Sequence, residues 1–125
     1  MFDINEWLRE TRKLHTSRNG SIIEDLSPVL NCKDGYSISV QASRIHYCSP
    51  RISGADNYES VELGFPNVED PLINEYAEDD NYTDTVYGFV PVEVVNKLIE
   101  KHGGITNMEI YDNKVTEILK SWEDM

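Results

Sequence analysis

Apolar residues alternate with polar ones over residues 36–42, where Tyr36, Ile38, Val40 and Ala42 fall at every second position. That period predicts a β-strand with one buried face, opened by the turn signal Asp34-Gly35. The period returns at residues 60–65, placing Val61, Leu63 and Phe65 inward until Pro66 stops the run, and residues 85–90 predict a third strand. Residues 44–48 either continue the first strand or form another after a bulge.

The helical period appears at both ends. Ile4, Trp7, Leu8 and Leu14 predict a helix over about residues 4–16, with Asp3 as its cap, Glu6 completing a capping box, and Arg9, Arg12 and Lys13 on its polar side. Ser17-Arg18-Asn19-Gly20 breaks it, and Ile22, Ile23 and Leu26 are too few to assign to either period. Val94, Val95, Leu98 and Ile99 predict a second helix that starts at Pro91 and stops at Gly103-Gly104. Val115, Ile118, Leu119 and Trp122 predict a last one over about residues 114–123. Between strands, Leu72, Ile73 and Tyr76 predict one short helical turn docked on the core. The expected fold is α+β: a small antiparallel sheet of three to four strands with helices on one face.

A chain of 125 residues fits a single domain, here with a core over about residues 35–105 and the two terminal helices as additions. No apolar run approaches the roughly 20 residues of a membrane span, and the charged N-terminus lacks a signal-peptide core. Cys32 and Cys48 are too few for a disulfide scaffold and are expected to stay reduced in a cytoplasm.

Charge changes the picture most. The chain carries 11 Lys+Arg against 23 Asp+Glu, a formal net charge of −12. Residues 52–96 hold 11 of the acids and no Lys or Arg, so nearly all the excess comes from one stretch. Its acids are interleaved with Tyr58, Phe65, Leu72, Ile73, Tyr76, Tyr82, Tyr87 and Phe89, unlike a disordered acidic tail. Such a stretch repels phosphates, which excludes direct nucleic-acid binding through it, and suits a basic protein surface instead. The alternative is a solvated face that keeps the protein soluble. The candidate partner-binding residues are Glu69, Asp70, Glu75, Glu78, Asp79, Asp80 and Asp84, with Tyr76 and Tyr82 as aromatic anchors.

Other chemistry is weakly encoded. His46-Tyr47-Cys48 is the one place where a nucleophile and a base lie close in sequence, and it supports the alternative of a small cysteine-dependent enzyme. The cysteines and His15, His46 and His102 match no zinc spacing, and residues 78–84 fail the calcium-loop register, so no metal or cofactor is expected. A third alternative is a self-associating structural module, dimerising through Ile118 and Trp122.

The strings SISVQASRIHYCSPR (37–51), VELGFP (61–66), YAED (76–79) and TVYGFVPVEVVNKLIEKHGGI (85–105) resemble short uncharacterised proteins of phages and integrative elements of Gram-positive bacteria. The resemblance covers about residues 35–105 and carries no assigned activity. It implies an accessory protein of a mobile element in a bacterial cytoplasm. In size and charge such a protein resembles anti-CRISPR or anti-restriction inhibitors, which implies a non-enzymatic inhibitor or adaptor, or DNA mimic. Its partner would be a basic nucleic-acid-binding protein of host defence, such as a CRISPR effector.

Overall fold

The computed structural model describes residues 2–16 and 22–106. In chain order the elements are α1 (Ile4–Thr11), β1 (Lys13–Thr16), β2 (Ile22–Leu26), β3 (Leu30–Asn31), β4 (Ser37–Gln41), β5 (Ser60–Gly64), a 3₁₀ turn (Asn74–Tyr76), β6 (Val86–Pro91) and α2 (Val92–Lys101). Strands β3, β4, β5 and β6 form an antiparallel sheet in that order, and β1 pairs with β2 separately. This is the α+β arrangement that the two periods predict.

Alternation fixes which face of the sheet is buried. Ile38 and Val40 of β4, Val61 and Leu63 of β5, and Tyr87 and Val90 of β6 enter one apolar cluster with Ile4, Trp7 and Leu8 of α1 and Val95, Leu98 and Ile99 of α2. Both helices therefore cover the same face. They are tied to each other by the Ile4 amide, which donates to Asn96 Oδ1 at 2.8 Å, and by the Phe2 amide, which donates to Glu100. The second helix ends at Gly103 and Gly104, whose φ values of 91° and 85° lie in the left-handed region that stops a helix.

Helix α1 begins as predicted, with Asp3 accepting from the Asn5 amide, but it ends at Thr11 rather than near residue 16. Lys13–Thr16 instead pairs with Ile22–Leu26, so the residues that looked like the helix's last turns form one arm of a hairpin. A helical stripe extended by the single position Leu14 is a weak signal, and strand pairing with a partner too short to type overrode it. Residues 44–48 are turns, not a strand; only Ser49 returns to the sheet, opposite Ser60. Phe65 is not inward: at φ 52° the chain turns it outward, where it is 57% exposed. The helix predicted over about 114–123, with Ile118 and Trp122, lies outside the described residues, and no helix among those described is long and apolar enough to cross a membrane.

The basic side of α1 is structural. Arg12 donates to the carbonyls of Ala55 and Gly54, and Arg9 donates to the Asp56 carbonyl and to Asn57. The two guanidiniums thus satisfy carbonyls of the loop before β5 that lie outside the strand ladder.

Candidate functional site

The acid-rich segment from residue 67 to 84 leaves the sheet after β5 and returns to it at β6. It is fastened along its length. Asn67 exchanges two bonds with Ser37, its amide donating to the Ser37 carbonyl and its Oδ1 accepting from the Ser37 amide, while its Nδ2 donates to the Gly35 carbonyl. Ile73 is fully buried and leads into the 3₁₀ turn, as the apolar spacing predicts. Ala77 bridges to Tyr87, the Glu78 amide donates to the Val86 carbonyl, and the Tyr87 hydroxyl donates to the Tyr82 carbonyl. Burial raises the Tyr87 phenol, so it stays protonated and able to donate.

Of the 11 acids between residues 52 and 96, nine are exposed: Asp56, Glu59, Glu69, Glu75, Glu78, Asp79, Asp80, Asp84 and Glu93. Glu62 is half-buried. Asp70 is the departure from expectation, being 2% exposed and fully engaged. Its Oδ1 accepts from the Leu72 amide at 2.9 Å and from Lys101 Nζ at 3.0 Å, and its Oδ2 lies 2.9 Å from His102 Nε2. Burial works to raise this carboxyl, but the Leu72 amide, the Lys101 ammonium and the His102 ring together outweigh it and hold it below the ordinary range. Asp70 therefore anchors the segment and is not available to a partner. The expected anchors Tyr76 and Tyr82 are half-buried, Tyr76 packing against the core.

His102 is the hub of this anchorage. Its Nδ1 is 2.7 Å from Asp34 Oδ2, and its ring stacks on Tyr36 with centroids 3.9 Å apart and planes 6° from parallel. The ring is thus held from both edges by carboxylates and on one face by Tyr36. The Asp34 carboxyl is held low, first by the Tyr36 amide and then by His102. Asp34, Gly35, Tyr36, Asn67, Val68 and His102 line a cleft of about 220 Å³ at this junction. The sequence marks Asp34 only as a turn residue and His102 only as one of three histidines without zinc spacing; a contact spanning 68 residues has no local signal.

His46 and Cys48 share a tight loop but have separate jobs there. Ser43 Oγ lies 2.6 Å from His46 Nδ1, and His46 Nε2 is 4.0 Å from Glu62. Cys48 is 1% exposed, its thiol directed at the carbonyls of Ser43 and Pro50, and burial raises it above the ordinary thiol range. Cys32 is buried as well and is pushed up to about 11, by burial first and then by Asp34. Those are the surroundings of packed thiols, whereas a nucleophilic cysteine is accessible and lowered. Among the described residues no group of His, Cys, Asp and Glu is arranged to hold a metal ion.

The loop also presents side chains that the alternation gave no reason to expect at the surface. Ile45, Tyr47 and Ile52 of the loop are exposed, as is Phe89 of the adjoining β6, with Arg51 5.2 Å over the Tyr47 ring. Compared with family models, with curated proteins and with solved structures, the chain has no match.

Proposed function

We propose that this chain is a non-enzymatic inhibitor or adaptor of a phage or mobile element, acting in a bacterial cytoplasm. It docks its acidic surface on the basic nucleic-acid-binding surface of a host defence protein, with a CRISPR effector as the leading candidate. The observation that carries the reading is the set of nine exposed carboxylates within 45 residues that hold no Lys or Arg. Most of the candidate contacts belong to a segment pinned to the fold at Asn67, Asp70, Ile73 and Ala77. Carboxylates on a pinned backbone keep fixed spacings, and fixed spacings can replace phosphates on the Lys and Arg of a nucleic-acid channel with less loss of freedom than a tail would suffer. Long-range attraction between the two surfaces speeds the encounter and weakens as salt rises. The contacting set is Glu69, Glu75, Glu78, Asp79, Asp80 and Asp84, without Asp70.

The test is competition. A guide-loaded CRISPR effector is titrated with labelled target duplex in the presence of this chain. Wild type is expected to weaken duplex binding, and the triple variant Glu75→Lys, Asp79→Lys, Asp80→Lys to lose that effect with its Tm nearly unchanged. A triple variant that competes as well as wild type would reduce the acidic segment to solubilising surface. Absence of competition by wild type would remove CRISPR effectors as the partner.

A further inference from the structure

The geometry points to a second docking surface, built from Tyr47, Arg51 and Phe89, for a protein segment that carries carboxylates beside an apolar side chain. Scattered exposed apolar residues need no explanation, but these are assembled. In β6 the register runs from Leu63↔Tyr87 to Val61↔Val90, so Gly88 and Phe89 together oppose Glu62. Without that bulge, alternation from the buried Tyr87 would send Phe89 into the core; with it Val90 takes the inward place and Phe89 stands 52% exposed at φ 53°. A left-handed phenylalanine is costly, and such conformations persist where the surroundings enforce them.

The surroundings enforce this one. The Phe89 amide donates to the Tyr47 carbonyl at 3.0 Å, and the Tyr47 amide donates to Glu62 Oε1. A Cβ at Gly88 would lie 3.3 Å from Tyr47 Cβ, so the absence of a side chain there lets Tyr47 close in. The two rings end 5.9 Å apart, with the Arg51 guanidinium over the Tyr47 face. The result is a held pair of aromatic surfaces with a cation at its edge.

Charge complementarity selects the occupant. Residues 35–55 contain Arg44 and Arg51 and no acid, in a chain whose net charge is −12. Both arginines are exposed, and Arg51 is steadied by donating to the Arg44 carbonyl. An aromatic face with a guanidinium fits an apolar side chain flanked by Asp or Glu. A single-stranded nucleic acid would also stack on such rings, but a long polyanion would run into the exposed carboxylates elsewhere on the molecule, which a short acidic peptide avoids. This surface is independent of the acidic segment and of the function proposed for it.

The probes are a labelled peptide of Trp and Leu flanked by Glu, the same peptide with Gln for Glu, and a labelled oligothymidylate. Each is titrated by fluorescence anisotropy at low and moderate salt against the full chain and its variants Arg51→Glu and Phe89→Asn. The Glu peptide is expected to bind and to weaken with salt. Replacing Glu by Gln, or Arg51 by Glu, should weaken it on the order of tenfold. Phe89→Asn should weaken it similarly while the Tm holds or rises, because Asn tolerates the left-handed region; that rise separates lost contact from lost fold. Charge reversal at Asp79 and Asp80 should leave this binding unchanged. No binding of the Glu peptide, equal binding of both peptides by all proteins, or tighter binding of the oligothymidylate would each overturn the proposal.

Discussion

Two segments of irregular backbone flank the same sheet, and they hold their shape by opposite means. The acidic segment between β5 and β6 is pinned by side chains sent inward: Ile73 into the core and Asp70 onto His102 and Lys101. The loop from residue 43 to 52 is pinned mainly by backbone and small polar groups, with Ser43 fully buried, Cys48 facing carbonyls, and the Tyr58 hydroxyl donating to the Ile52 carbonyl. The first thereby leaves carboxylates exposed to solvent, and the second leaves aromatic and arginine side chains exposed. An exposed set of one chemical kind is informative only when something else holds the chain. The difference predicts that single changes in the acidic segment fall into two classes, fasteners and passengers.

Ile73→Ala gives the largest effect. A fully buried isoleucine cut to alanine loses about 3 kcal/mol through transfer and cavity terms together. Because Ile73 fastens the segment between Asp70 and the 3₁₀ turn, chemical denaturation should show the loss, and limited proteolysis should cut near residues 67–84 before global unfolding. Proteolysis that begins instead in the 43–52 loop would break the assignment of Ile73 as a local fastener.

Asp70→Asn comes next. It removes the charge that holds Lys101 and His102 while keeping shape, and about 2 kcal/mol is expected, reduced because Lys101 is about half exposed. Asp79→Asn, on an exposed residue a few positions along, should change stability by less than about 0.5 kcal/mol. Equal effects at the two sites, measured by urea unfolding, would erase the distinction between fastener and passenger.

The acid limb of the stability profile tests the Asp70 anchor by a second route. Asp34 and Asp70 have folded-state pKa values below the ordinary carboxyl value of 3.8. The unfolded chain therefore takes up protons first as pH falls. Their contribution is fully present above that ordinary value and drains away as pH drops through the lowered folded values. Asp70→Asn should flatten this limb in thermal melts taken from pH 6 to pH 2, a range chosen to span about two units either side of an ordinary carboxyl. The unaltered profile in that variant would mean that the anchor carries no linkage.

Much of the frame was legible in the spacing of apolar residues. The alternation at Tyr36, Ile38 and Val40, the stripe at Val95, Leu98 and Ile99, and the Gly103-Gly104 stop all state a local preference that the packing then uses. What spacing did not reveal depended on partners far along the chain. Asp70 looked like its acidic neighbours because nothing local distinguishes a carboxylate that will meet Lys101 and His102. The hairpin of β1 and β2 was hidden because each arm is short and draws its stability from the other. Alternation misplaces Phe65 and does not anticipate the outward turn of Phe89, because it assumes regular strands. Here one warning was present: a glycine within a strand pattern, Gly88, marks a bulge or a close approach, and it marks both.

One further effect has the opposite sign. Phe89 sits at φ 53°, where an L-residue with a Cβ is strained by about 1–2 kcal/mol and asparagine much less so. Its ring is more than half exposed, so little burial is lost on replacement. Phe89→Asn is therefore expected to stabilise the fold by up to about 1 kcal/mol, a rise of a few degrees in Tm for a chain of this size. A residue that weakens the fold where it stands, and whose ring the bulge nonetheless turns outward, is explained by what it touches outside the molecule. Should Phe89→Asn destabilise the chain instead, the ring against Tyr47 would be a structural contact, and the 43–52 loop would be held by side chains in the same manner as the acidic segment.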